Sequence, residues 1–244
     1  MYKSMTVVVF SDLDDTLFHA QRKCPDLSGH KVATALPTGK VGAYSTPQQQ
    51  ALISLFNDSF LIPVTGRRTD SLNRVLMDFQ GYKIASHGAI VINPQNNLDP
   101  AWRLILDKEE PQWRNRMDQL KRQLELDIER LDLELRVRVT NDQGYACYVC
   151  VKGESSHLKQ LINRTDRQNT ADFVVHANDR NLAFLPPYAS KRRAVNFLKR
   201  VFKKENKGHI TFFGLGDSLS DSGFMSICDF QIIPSNSQIA EVIR

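Results

Sequence analysis

The sequence lacks the features that would place it in several common classes. No run of about 18 apolar residues occurs anywhere in the 244, and the start does not couple a basic stretch to an apolar one. A membrane-spanning helix and a secretory leader are therefore not expected, and the pattern predicts a cytoplasmic chain with no membrane partner. Cysteine is scarce: Cys24, Cys147, Cys150 and Cys228 are too few and too scattered for a disulfide framework. Cys147 and Cys150 form a CxxC, but "YACYVCVKG" reads as a strand that points them to opposite faces. With no second pair to complete a zinc site, all four read as ordinary thiols. There is no internal repeat and no low-complexity segment. The net charge of +5 is mild, and no basic stripe is interleaved with aromatics. That suits an anionic small molecule and argues against a nucleic-acid partner. Nothing in the pattern specifies an oligomeric state.

What is present is an alternation of strands and helices. "MTVVVF" (5–10) reads as a buried strand ending at "SDLDDTL". Thr46-Pro47 reads as an N-cap followed by proline at the first helical position. "FLIPV" (60–64) is the next strand, "TDSLNRVLMDF" (69–79) a second helix, and "YKIAS" (82–86) a third strand. Such alternation predicts a parallel, doubly wound α/β sheet whose ligands lie at the carboxyl ends of its strands. The middle differs. A charged helix over 109–132 precedes a hairpin of "LELRVRV" and "GYACYVCVKG" around "TNDQG". A helix over 155–165 then precedes the strands "DFVVHA" and "NLAFLP". Helix-strand-strand, twice over, predicts a small α+β domain with an antiparallel sheet. The parallel pattern resumes with a helix near Ser190 and the strands "HITFFGL" and "FQIIP". Residues 94–187 are thus expected to form a domain inserted into a core of 1–93 and 188–244.

Chemistry gathers at the strand ends. "FSDLDDTL" places Asp12, Asp14 and Thr16 directly after the first strand. A turn cluster would account for them in isolation, since Asp and Thr favour such positions. Other strand ends weaken that account. "VTGRR" adds Thr65 and Gly66, Lys191 opens a helix, and "GDSLSD" adds Asp217 and Asp221. The acids suit a hard cation such as Mg²⁺. The lysine and hydroxyl suit an anion, most simply a phosphoryl group.

These motifs, in this order, resemble those of the haloacid dehalogenase superfamily of phosphohydrolases: "DLDDT", "TGR", Lys191 and "GDSLSD". The inserted block resembles the compact cap of the sucrose-phosphate and trehalose-phosphate phosphatase branch, and "ASHGAIV" is similar to a stretch of Cof-type sugar phosphatases. The resemblance implies a Mg²⁺-dependent phosphomonoester hydrolase for a small phosphorylated metabolite, a sugar or polyol phosphate. It implies Asp12 as nucleophile, Asp14 as general acid and then base, and Thr16 as a residue shaping the turn. Thr65, the Gly66 amide and Lys191 would hold the phosphoryl group. Asp12, Asp217 and the main-chain carbonyl of Asp14 would bind Mg²⁺, with Asp221 close by. Arg67 and His87 become candidate substrate contacts. A non-catalytic relative is the main alternative, and the intact Asp12, Asp14, Lys191 and Asp217 count against it. A phosphomutase is a third reading, disfavoured because only a hairpin fills the gap after the first motif.

"GDSLSD" also resembles the first block of the GDSL esterases, which would make Ser218 a nucleophile. Those enzymes carry their catalytic histidine downstream of the serine, whereas here the last histidine is His209. Ser218 is therefore expected to be a turn residue. The pattern departs from its phosphatase relatives at His87, Ser220 and Arg192, in a shortened C-terminal end, and in a long link over 19–46. Within that link "HKVATA" and "KVGAYS" flank "LPTG", predicting a hairpin. With Lys40 near its tip, this flap either shares substrate selection with the inserted domain or is a surface hairpin with a solvated lysine.

Overall fold

A computed structural model of the chain describes residues 6–79, 81–165, 170–178, 180–206 and 208–244. Met5, the first residue of the first predicted strand, lies outside them. The chain divides into two compact units, one of residues up to 97 together with 191–244, the other of residues 98–190.

In the first unit, β1 (Thr6–Ser11) is followed by β2 (His19–Ala20), β3 (Lys31–Ala35) and β4 (Val41–Ser45). Then come α1 (Pro47–Ser54), β5 (Phe60–Pro63), α2 (Thr69–Leu72), β6 (Lys83–Ala85) and β7 (Ile90–Ile92). The second unit holds α3 (Pro100–Arg130), β8 (Leu135–Asp142), β9 (Tyr145–Gly153), α4 (Ser155–Arg164), β10 (Val174–Asn178) and β11 (Asn181–Leu185). The first unit resumes with α5 (Lys191–Glu205), β12 (Ile210–Leu215), α6 (Leu219–Met225), β13 (Phe230–Ile232) and α7 (Gln238–Ile243).

β13, β12, β1 and β5 form a parallel sheet in that order. β1 is central, and its Val8, Val9 and Phe10 are wholly buried, as expected of a strand covered on both faces. The carboxyl ends of β1, β5 and β12 therefore lie side by side, and residues 12, 65 and 217 leave the sheet there. α1 starts as the sequence predicts. Thr46 Oγ1 accepts from the Gln49 amide at 3.2 Å, and Gln49 Oε1 accepts from the Thr46 amide at 3.0 Å.

The flap hairpin also forms, with β3 and β4 antiparallel and β2 on the other edge of β4. It reshapes the segment after β5. The predicted helix over 69–79 shrinks to Thr69–Leu72, because Val75 bridges Thr34 of β3 instead. The Ala35 amide donates to Arg74 O at 3.0 Å and the Leu76 amide to Ala33 O at 2.8 Å. Those strand-type bonds cannot coexist with a continuing helix.

The second unit is the predicted α+β layer: an antiparallel sheet β10-β11-β9-β8 with α3 packed on β8 and β9. The turn between β8 and β9 uses Gln143 and Gly144, both left-handed (φ 51 and 85), the pattern of a tight hairpin turn. α3 is longer than predicted. It begins where Asp99 caps the Ala101 and Trp102 amides at 2.9 Å each, ahead of Pro100 at the first helical position. Cys147 and Cys150 are buried in β9, and all four thiols are free. No helix among the described residues is long and apolar enough to cross a membrane.

Candidate active site

β1 delivers Asp12 to the edge of the sheet, where its amide donates to Leu215 O at 2.9 Å, tying the ends of β1 and β12 together. The next turn is anchored by Leu13, Leu17 and Phe18, all essentially buried. Leu13 O accepts from the Leu17 amide at 2.9 Å, and Asp15 takes a left-handed conformation (φ 66). The apolar residues thus go inward, leaving the acids between them at the rim.

Lys191 Nζ donates to Asp12 Oδ1 at 2.6 Å and to Asp221 Oδ1 at 2.7 Å. Asp12, Asp217 and Asp221 each present a carboxylate oxygen, and these all lie within 4.8 Å of one another. Asp221 is wholly buried. Its Oδ2 accepts from Ser218 Oγ at 2.6 Å and from the Ser218 amide at 3.1 Å, so both of its oxygens are engaged. Thr16 Oγ1 donates to Asp217 Oδ1 at 3.2 Å, which gives the first motif's threonine a task beyond its own turn. No hydrogen bond from a described residue uses Asp12 Oδ2 or Asp217 Oδ2.

Burial pushes the Asp12 carboxyl well above its ordinary range, Lys191 opposes that, and the Asp221 charge adds to it. Burial likewise raises Asp217 to about 6, with help from Asp221 and Asp15 and against Thr16. Lys191 moves up despite its burial, because Asp12 and Asp221 hold the ammonium. Three carboxylates against one buried lysine leave an all-oxygen pocket with too much negative charge. That donor set fits a hard divalent cation, with Asp12 and Asp217 as the available ligands. Asp221 is the most heavily bonded of the three, with Lys191 on one oxygen and Ser218 on the other.

Thr65 is buried at the end of β5, and its Oγ1 accepts from the Arg67 amide at 3.1 Å. Gly66 is explained by His87: a Cβ there would stand 2.5 Å from the imidazole Cε1. His87 itself is left-handed (φ 58), with its amide bonded to Thr65 O at 3.0 Å. The guanidinium of Arg67 grips Asp14, Nε to Oδ2 and Nη2 to Oδ1, both at 2.7 Å. Burial alone would lower the Arg67 pKa, but the bond to Asp14 outweighs it and the pKa rises. Asp14 consequently keeps its carboxylate apart from the three clustered acids; the metal contact expected of it concerned its main-chain oxygen. Lys40 sits exposed at the tip of the β3–β4 turn and pairs with none of these residues among those described. The Arg67–Asp14 pair joins residues 53 positions apart, and the sequence carries no signal for it.

Ser218 is the N-cap residue of α6, its hydroxyl spent on Asp221 and 2.8 Å from Ser220 Oγ. None of its hydrogen bonds is to a histidine, so the geometry offers no imidazole to relay the proton of an esterase serine.

Comparison with known proteins shows the family and the fold. The model of the sucrose-6F-phosphate phosphohydrolase family matches residues 5–242. A search of curated proteins found no match. Among solved structures, the sucrose-phosphatase from Synechocystis, in complex with sucrose and phosphate, is similar at 16% identity. It has a TM-score of 0.55, with 98% of this chain and 87% of that one covered. A protein from Thermotoga maritima is 15% identical (TM-score 0.55, 96% and 88% covered). The C-terminal domain of a Candida albicans trehalose-6-phosphate phosphatase is 10% identical (TM-score 0.55, 91% and 72% covered). At these identities the structures establish a common fold.

Proposed function

The chain belongs to the sucrose-6F-phosphate phosphohydrolase family and is a phosphatase of the haloacid dehalogenase superfamily, and on that premise we propose that it hydrolyses a sugar or polyol phosphate through a phosphoenzyme on Asp12. The observation that carries this reading is the bridge from Lys191 to Asp12 and Asp221, beside Asp217, at the adjoining ends of β1 and β12. Sucrose-phosphate and trehalose-phosphate phosphatases among the similar proteins support a sugar phosphate as the substrate class.

The Asp12 carboxylate attacks phosphorus, the bond from phosphorus to the substrate oxygen breaks, and Asp14 gives that oxygen its proton. Asp14 then takes a proton from water as the water oxygen attacks phosphorus. The bond to Asp12 breaks, inorganic phosphate leaves, and both carboxyl groups return to their starting states. Thr65, Gly66 and Lys191 hold the phosphoryl oxygens, and Lys191 also offsets the charge of the nucleophile. Asp12, Asp217 and the Asp14 carbonyl would hold a Mg²⁺ ion, which would supply the screening that lets a carboxylate approach a phosphate dianion. Asp221 supports this set by orienting Lys191. The 98–190 unit is the substrate-selecting cap of this reading, aided by the β3–β4 flap.

The test is phosphate release by the purified chain from a panel of sugar, polyol and nucleotide phosphates, with Mg²⁺ or with EDTA. Sugar or polyol phosphates should lead and EDTA should abolish turnover. A nucleotide as best substrate would overturn the substrate class, and full activity in EDTA would overturn the metal.

A further inference from the structure

Resting on that reading, we infer that Arg67 is a positioning residue that fixes the carboxylate of Asp14 as the base that takes a proton from the attacking water, and works through Asp14 alone. Among the described residues, the Asp14 carboxylate has Arg67 as its one hydrogen-bond partner. Its side chain is half exposed, and it sits on a turn whose next residue is left-handed. Without a partner, the carboxylate would sample every orientation that two torsions allow.

Arg67 is well placed to remove that freedom. Its amide donates to Thr65 Oγ1 at 3.1 Å, and its carbonyl accepts from the Ser86 amide at 2.7 Å, so its backbone is held from both sides. Its guanidinium lies 5.2 Å from the centre of the buried Phe18 ring, and Nη1 reaches Ser71 Oγ at 3.4 Å. Two parallel bonds at 2.7 Å from a planar fork set the plane of a carboxylate as well as its distance, which a single ammonium cannot do. The two bonds favour the ionised form, so the state they position is the base; proton transfer requires that base within hydrogen-bond reach of the attacking water, and a misplacement near 1 Å costs on the order of a hundredfold. With all three of its guanidinium nitrogens bonded to Asp14 or Ser71, Arg67 makes its contribution as a scaffold for the Asp14 base.

The experiment is a double-mutant cycle on the full chain: Asp14→Asn, Arg67→Met and the combination, with Arg67→Lys as the conservative variant. Single-turnover rates and steady-state constants are measured with p-nitrophenyl phosphate and with the sugar phosphate that wild type turns over fastest. Arg67→Met should lower kcat on the sugar phosphate by roughly 10- to 100-fold, part of the 10²–10⁴ that acid–base catalysis contributes, with KM little changed. Phosphoryl transfer from p-nitrophenyl phosphate, whose leaving group needs no proton, should fall less. Arg67→Lys should recover only part of the loss. In the Asp14→Asn background, removing Arg67 should change the rate by less than about threefold, because the group it positions is gone. Losses that multiply in the double variant, or a raised KM, would show Arg67 acting on the substrate and overturn the inference. So would wild-type kcat in Arg67→Met. Should Arg67→Met fail to fold, as judged by its melting curve, the cycle is run with Arg67→Lys under the same criteria. A fully active Asp14→Asn protein would instead defeat the mechanism proposed for Asp14, so the two failures are distinguishable.

Discussion

Buried charge is handled in opposite ways by the two units. In the 98–190 unit each buried acid of α3 is neutralised within about one turn of its own helix. Glu110 pairs with Arg114 at 2.5 Å, and Asp127 with Arg130 at 2.9 Å. At the strand ends of the other unit the partners come from far apart: Lys191 and Asp12 are 179 residues apart, Thr16 and Asp217 are 201. There three acids share one lysine. A local pair is a way of ending a helix face against a sheet; a distant, under-compensated cluster has no such structural use and is held in place by the whole fold. Excess buried charge without a cation is costly, so the cluster is intelligible as a site waiting for charged ligands.

The largest expected effects come from breaking the distant cluster. Asp12→Asn should remove turnover with every phosphoester, since no phosphoenzyme forms, yet leave a folded chain, because one buried charge has gone from a crowded site. Lys191→Met should lose activity and also stability. It leaves Asp12 and Asp221 buried without their cation, a loss of about 3–5 kcal/mol in denaturant titration. A Lys191→Met protein as stable as wild type would mean that the carboxylates are already neutral in the folded state.

Metal should sharpen the contrast, and the sign comes from Asp217. Its folded pKa, about 6, lies above the ordinary carboxyl value of 3.8 because burial and then Asp221 and Asp15 resist its charging. The folded state therefore holds this proton more tightly than the unfolded chain. Stability is lost as pH rises from the ordinary value through about 6. A cation bound to the charged site restores it. Mg²⁺ should accordingly raise the melting temperature clearly at pH 7.5 and little at pH 5. Asp217→Asn should abolish that difference. Equal shifts at both pH values would argue against Asp217 as a ligand.

The same contrast explains what could be read from the sequence. β1, β5 and β12 are legible because apolar runs end in acid, hydroxyl or glycine; strand–helix alternation gives the parallel core, and the helix-strand-strand pattern gives the inserted layer. Local signals also set the hairpins, with Gln143-Gly144 in one and "LPTG" in the other. The predicted helix over 69–79 fails because the bridge from Val75 to Thr34 is a tertiary competitor that no local propensity encodes. The charged pattern over 109–132 starts α3 too late, because the true start is the cap and proline of Asp99-Pro100. The Arg67–Asp14 grip and the Thr16–Asp217 bond are illegible for the same reason as the Val75 bridge: the partners meet only in three dimensions.

In the local arrangement the effects should be modest and confined to stability. Glu110→Gln keeps an oxygen for the Ala146 amide, which Glu110 Oε1 now binds at 2.9 Å, and loses the ion pair to a half-exposed Arg114. About 1 kcal/mol should go, with kcat unchanged. Loss of phosphatase activity without loss of stability would mean that this acid does more than hold α3 to β9.

Ser218→Ala should do least, and the reason lies in what the hydroxyl holds. Ser218 Oγ donates to Asp221 Oδ2, but the Ser218 amide donates to the same oxygen at 3.1 Å and survives the substitution. Asp221 Oδ1 keeps Lys191 at 2.7 Å. One of three bonds on a buried carboxylate is removed, worth about 1.5 kcal/mol, the lower end for a bond to a charged group, because the amide still serves the same oxygen. The lysine that Asp221 orients is still fixed from two sides. Activity should stay within about threefold of wild type, and Mg²⁺ should raise the melting temperature as before. A serine-directed phosphonate should leave the wild-type protein unlabelled, since Ser218 has no histidine to relay its proton. Stoichiometric labelling at Ser218, or a collapse of activity in Ser218→Ala with Mg²⁺ binding intact, would return the serine to the chemistry and undo its assignment as a support for Asp221.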